Sequence, residues 1–281
     1  MKMMKIVKSM ILIVMTALIL LPLIYTVTNA FMGANELSYY YGSLWDYENE
    51  RYITFHLLPE RWSLQSMYEV LLATPEYLIK FWNSLGMTSL IVAGQVVVSV
   101  LAGYGFSRFR FPGRYPLFVA VVIIMMMPYQ VTLVTNYIIL DRLHLVGSYA
   151  AVILPGIFSA FGVFLMKQTM DEIPDEILEA AKLDGAGQWR TMFYIALPVS
   201  RGGIISLVLL AFIDNWNMVE QPQVFLRDTQ MYPLSVFLAQ SMSGTGTAGF
   251  ACGVLALLPV MLLYMNFRDE LVNGIAASRI K

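Results

Sequence analysis

The sequence predicts an all-α polytopic membrane protein with six transmembrane helices and one further helix in a cytoplasmic loop. Three observations predict it. The chain is 58% hydrophobic and only 13% charged, richer in apolar and poorer in charged residues than soluble domains. Residues 9–35, 81–107, 115–140 and 229–267 carry no formal charge, and each is longer than the roughly 18 residues a bilayer-spanning helix needs. Residues 145–166 are also uncharged, and residues 202–222 contain only Asp214 and Glu220, which brings the count to six.

Taken in order, the spans fall at about 10–32, 84–106, 115–138, 147–167, 202–222 and 249–267, within one transmembrane domain covering residues 10–281. Lys2, Lys5 and Lys8 before the first run, with Thr28-Asn29-Ala30 after it, imitate a secretory signal. A signal's apolar core is only about 7–15 residues, so a retained first helix is expected. With residues 1–9 in the cytoplasm, thirteen of the Lys and Arg residues fall inside and five outside (Arg51, Arg61, Lys80, Arg142 and Arg227). That asymmetry obeys the positive-inside rule and places both termini in the cytoplasm.

Between the first two spans lie Tyr39, Tyr40, Tyr41, Trp45, Tyr47, Tyr52, Trp62, Tyr68 and Tyr77. Amphipathic rings are enriched at membrane interfaces, so an anchoring belt is the simpler expectation, with a sugar-stacking surface as the other. Ser107–Arg114 is a short basic hairpin turning at Pro112-Gly113. Pro128 and Pro155 should kink the third and fourth spans. Ser99 with Gly103, and Gly249 with Gly253, allow close helix approach.

Several chemistries are excluded. The basic residues form no patch for nucleic acid. Cys252 is the only cysteine, so no internal disulfide or cysteine-held metal is possible, and it reads as packing. His56 and His144 belong to no H-E-x-x-H, and no metal site or catalytic residue is expected. There is no phosphate loop, so the chain itself should neither bind nor hydrolyse ATP. Gly244-Thr245-Gly246-Thr247-Ala248-Gly249 spells a dinucleotide fingerprint but lacks the βαβ setting. An intramembrane aspartyl enzyme needs two paired aspartates, and Asp214 is the one aspartate within a span. An ion-coupled carrier should show internal repeats and several intramembrane charges, and neither is present.

Residues 171–198 form the longest cytoplasmic connection. Pro174 suits a first helical turn, Asp175 and Glu176 favour the positive helix end, and Gly185 supplies a left-handed stop, predicting a helix over 175–184. A second amphipathic segment, Gln188 to Leu197, ends at Pro198. So short a helix needs a partner. Ile177, Ala180, Ala181 and Asp184 are expected near one face, with the alanines admitting a close surface and Glu179 reaching a basic group there. The six acids between Asp171 and Asp184 argue against an anionic leaflet as that partner.

Glu179-Ala180-Ala181, three residues, Gly185, nine residues, Ile195, one residue and Leu197-Pro198 resemble the EAA motif of ABC-importer permeases. Asn83-Ser84-Leu85, Met127-Pro128, Trp216-Asn217 and Asn273-Gly274 extend the similarity to the carbohydrate-uptake branch, although the ending Ala276–Lys281 departs from its glycine-rich tail. The resemblance implies the type I ABC importer permease fold in a bacterial cytoplasmic membrane. It implies a coupling helix that docks an ATPase through Glu179, Ala180, Ala181, Leu183, Asp184, Gly185 and Ala186. The implied partners are a second permease subunit, two ATPase subunits carrying ATP and Mg, and an extracellular solute-binding protein. That protein would meet Gln240, Ser243, Gly244, Thr245 and Gly246. The cargo is expected to be a mono- or oligosaccharide, or alternatively glycerol phosphate or another polyol. Asp214 is read as a polar wall of the sugar path with Asn215 and Asn217, or as a helix-to-helix hydrogen bond. Asn83, Gln130 and Asn136 are weaker pathway candidates.

Overall fold

The computed structural model describes residues 2–41, 56–73, 75–241 and 249–277, and every regular element among them is helical. In order these are α1 (Lys2–Asn29), α2 (Ala34–Tyr41), α3 (Gln65–Tyr68), α4 (Pro75–Arg108), α5 (Arg114–Met125), α6 (Tyr129–Arg142), α7 (Tyr149–Ile157) and α8 (Ala160–Asp171). There follow α9 (Asp175–Leu183), α10 (Gln188–Thr191), α11 (Leu197–Val199), α12 (Arg201–Trp216), α13 (Glu220–Phe225), α14 (Leu234–Ser241) and α15 (Gly249–Ala277). Among the described residues four helical stretches are long and apolar enough to cross a membrane: Ile6–Asn29, Pro75–Arg108, Tyr149–Asp171 and Gly249–Arg268. Two bent pairs, α5 with α6 and Gln188–Val199 with α12, raise the number to six if each is one span.

The expected third span, 115–138, is two helices meeting at 103°. Pro128 has no amide to donate and disfavours helical backbone at Met127, so α5 stops with Met126 and Met127 bonded back to Ile123 and Ile124. The expected fifth span stops at Trp216 rather than 222, where the Asn217 side chain bonds the Ile213 carbonyl. Pro155 is accommodated inside α7; the chain breaks at Phe158-Ser159, and the Ser159 hydroxyl caps α8 by accepting from the Gly162 amide.

The chain packs as two compact units, residues 1–81 with 236–258, and residues 82–235 with 259–281. In the first, Met32, Leu37 and Tyr41 are buried together with Tyr25 and Phe250 around them. Cys252 is buried in this unit. From Ile6 to Ile24 the surface of α1 is exposed, as suits a helix whose solvent is lipid.

In the second unit α4 and α8 approach closely through the small residues that the sequence singled out. A Cβ on Gly103 would stand 2.6 Å from the Met166 Cβ, and one on Gly162 would stand 2.3 Å from the Ser99 hydroxyl. This contact opens onto a core of Val100, Tyr104, Met166, Met170, Ile173, Leu178, Met192, Ala196 and Leu207. Leu178 brings α9 into that core, so the short helix is held by tertiary burial.

Candidate functional site

Helix α9 spans Asp175–Leu183, starting directly after Pro174, which caps it from extended backbone instead of entering its first turn. Gly185 has φ +78°. Its amide bonds the Lys182 carbonyl at 3.0 Å and the Ala186 amide bonds the Ala181 carbonyl at 2.9 Å. This paired closure is a Schellman motif, and a glycine satisfies its left-handed position without Cβ strain.

The helix divides its residues sharply. Leu178 and Ala181 are buried, whereas Glu176, Ile177, Glu179, Ala180, Lys182 and Asp184 are exposed, and Leu183 is 89% exposed. The two alanines therefore do not share a face. At about 100° per residue their side chains diverge, so Ala181 packs on its own chain while Ala180 lies outward with Ile177 and Asp184. Leu183 thus projects from the face of α9 opposite its buried side, and Trp189 at 67% and Tyr194 at 79% are also left exposed in the segment that follows.

Arg108, at the end of α4, fixes this helix and was not singled out from the sequence beyond its place in the basic hairpin. Its guanidinium donates to Asp175 Oδ1 at 2.8 Å, to the Ile173 carbonyl at 2.8 Å, and to the Met170 carbonyl. The two carbonyls lie at and just beyond the C-terminal end of α8, where intrahelical donors run out. One side chain thus joins α4, α8 and α9. Nearby, Ser107 donates to Asp171, which also pairs with Lys167. Glu179 lines a cleft of about 420 Å³ with Arg108, Arg110, Arg114 and Lys182. Its carboxylate therefore has basic neighbours in its own chain.

The polar pathway candidates are dispersed. Asp214 is exposed to a cavity of about 430 Å³ lined by Gln95, Ser159, Phe161, Leu207, Leu210, Ala211 and Ile213. Asn215 is buried and bonds the Ala211 carbonyl, and Asn217 bonds its own helix, so neither joins Asp214 in that cavity. Asn83 donates to the Gln230 and Tyr232 carbonyls and accepts from the Tyr149 hydroxyl, a bracing role. Gln130 reaches Glu220 at 3.4 Å, and Asn136 is half-buried on α6. Gln95, which the sequence did not distinguish, donates to the Gly156 carbonyl from the wall of the Asp214 cavity. Gln240 is exposed at the end of α14, and Ser243, Gly244, Thr245 and Gly246 lie outside the described residues. Among the described residues no three His, Cys, Asp or Glu side chains are grouped to hold a metal.

A profile of the binding-protein-dependent transport system inner membrane component family matches residues 95–276, which include the capped α9 and the Asp214 cavity. The chain belongs to this family. It is a multi-pass membrane permease and not itself an enzyme. The arabinooligosaccharides transport system permease protein AraQ of Halalkalibacterium halodurans is 28% identical over 232 residues, covering 82% of this chain and 83% of the relative. The lactose transport system permease protein LacG of Rhizobium radiobacter is 31% identical, covering 70% and 74%. The sn-glycerol-3-phosphate transport system permease protein UgpE of Yersinia pestis is 31% identical, covering 70% and 72%. The permease also matches a chain in the crystal structure of a bacterial ABC transporter involved in import of the acidic polysaccharide alginate. The TM-score is 0.80 at 20% identity, over 95% of this chain and 96% of that one. The fold is that of a type I ABC importer permease.

Proposed function

We propose that this permease carries a neutral mono- or oligosaccharide across a bacterial cytoplasmic membrane as one half of a heteromeric pathway. It crosses six times with both termini inside. An extracellular solute-binding protein delivers the sugar, and two ATPase subunits, holding ATP and Mg, supply the work. The observation that carries this reading is α9, a capped helix anchored by Leu178 and Arg108 that presents Ile177, Ala180 and Leu183 outward. An exposed apolar knob on an internally clamped base is built to be gripped.

The mechanism follows from those contacts. Closure of the ATPase pair on ATP displaces α9; Arg108 passes the displacement to α4 and α8, and the close Gly103–Met166 and Gly162–Ser99 contacts make those two helices move together. Packed elements of this kind switch between discrete arrangements, here inward-open and outward-open. The Asp214 cavity, with Gln95 and Ser159, offers hydroxyl-binding groups along the path.

The relatives divide between saccharide and glycerol-phosphate carriers, and the cavity favours the former for this chain. Its lining has a carboxylate and no Arg or Lys, which suits hydroxyls and repels a phosphate dianion. The test is uptake in proteoliposomes holding the complete complex, comparing labelled lactose and arabinotriose with glycerol 3-phosphate. Saccharide uptake dependent on ATP is expected, and uptake of glycerol 3-phosphate alone would reverse the substrate assignment.

A further inference from the structure

Of the aromatic residues that follow α1, Trp45, Tyr47 and Tyr52 lie outside the described residues, and Tyr40 has polar as well as aromatic neighbours. Tyr40 is enclosed by Tyr39 edge-on, with ring centroids 5.1 Å apart, and by His56 stacked at 4.4 Å. Its hydroxyl donates to Glu60 Oε1 at 2.6 Å, and the Glu60 amide donates to Glu36 Oε1 at 2.7 Å. Among the described residues each carboxylate thus engages one oxygen, Oε1, and its Oε2 accepts no hydrogen bond. Both line a cavity of about 640 Å³ together with Asn35, Tyr39, Tyr40 and Arg61. Tyr39, 76% exposed, leaves ring surface uncovered at the cavity edge.

We propose that this cavity is an accessory binding site for a neutral saccharide, separate from the Asp214 cavity, on the face from which cargo arrives. The proposal rests on the saccharide-permease reading. A sugar ring offers an apolar C–H face, which fits the uncovered ring of Tyr39, and a rim of hydroxyls that both donate and accept. The free carboxylate oxygens of Glu36 and Glu60 accept from that rim, and Asn35 and Arg61 donate to it. The volume lies within the roughly 300–1,000 Å³ of small-molecule sites. Two carboxylates against one guanidinium leave a negative excess, which discriminates against uronates and phosphates.

The test is saturation-transfer NMR on the full-length permease in nanodiscs, with lactose and arabinotriose as neutral probes and digalacturonate as the acidic one. Transfer to the sugar C–H protons is expected from the neutral probes. Tyr39→Ala should weaken that binding about tenfold while Tyr39→Trp preserves it, since the loss of a ring contact is worth roughly one factor of ten. Tyr39 is exposed, so its removal leaves the fold intact, and the thermal melt of the variant verifies this. Neutral-sugar titrations identical in the wild type and Tyr39→Ala, or digalacturonate bound as tightly as lactose, would overturn the site. If the assembled complex still imports saccharide while that titration is unchanged, the site falls and the permease reading stands. If it imports only glycerol 3-phosphate, the underlying reading falls with it.

Discussion

Arg108 and Asp175 stand 2.8 Å apart across the junction of α4 and α9, and the two are unequally buried, with 12% of the arginine side chain and 82% of the aspartate exposed. The exposed ion pair alone contributes little. The stronger part is the bond to the Ile173 carbonyl at the other end of the guanidinium, because a charged donor there satisfies an acceptor beyond the end of α8. Arg108→Lys keeps a charge near Asp175 but cannot reach three acceptors at once. Sugar transported per ATP hydrolysed should fall in both Arg108→Lys and Arg108→Ala while the assembled complex purifies in normal yield. Asp175→Asn should change that ratio much less.

Leu178 and Leu183 lie five residues apart on one short helix and should respond in opposite ways to truncation. Leu178 is buried in the second unit's core, so Leu178→Ala should lower stability by about 2–4 kcal/mol. Leu183→Ala should leave the melting temperature unchanged and weaken capture of the ATPase by the solubilised permease. Equal effects of the two on the melt would refute the outward role given to Leu183.

No atom would lie within 4 Å of a Cβ on Gly185, so substitution there is opposed only by its backbone at φ +78°. Gly185→Ala should cost about 1 kcal/mol and Gly185→Val more, with Gly185→Asn the best tolerated. Hydrogen exchange at the α9 amides reads the fraying directly.

Gly103 contrasts with Gly185, because its added Cβ would meet both the Met166 side chain and backbone of α8 below 3.0 Å. Gly103→Ala should cost about 1–3 kcal/mol by overpacking, measured as a lowered unfolding temperature in detergent. Gly86, with open space around it, should accept alanine at no loss.

Asp214→Asn should leave folding untouched, since the carboxylate faces a cavity, and should alter uptake kinetics in the complete complex. Asn215→Ala removes a buried amide bonded at 2.7 Å to Ala211 and should act through stability. If both variants altered uptake and left stability alike, the separation drawn between these neighbours would be wrong.

Elements governed by local chemistry were legible in the sequence. The stop at Gly185 follows from backbone freedom, the turn at Pro112-Gly113 has its glycine at φ +82°, and Ser99 with Gly103 does pack against α8. What depended on tertiary partners was not legible. Arg108 read as one basic residue in a hairpin, because nothing in its neighbourhood reveals that Met170, Ile173 and Asp175 converge on it. Ala180 and Ala181 read as one surface because they are adjacent, while the face α9 buries was decided by Leu178. The size of the break at Pro128 was likewise hidden: proline predicts a kink, but its angle depends on what α6 packs against.

That break has a use as a clock. Tyr129 and Gln130 begin α6 just past a 103° bend, where the first amides of a helix lack carbonyl acceptors in their own turn. Inside a bilayer such groups survive only where protein or water covers them. Deuterium uptake at these two positions therefore records when solvent reaches the bend between α5 and α6, independently of any substrate label.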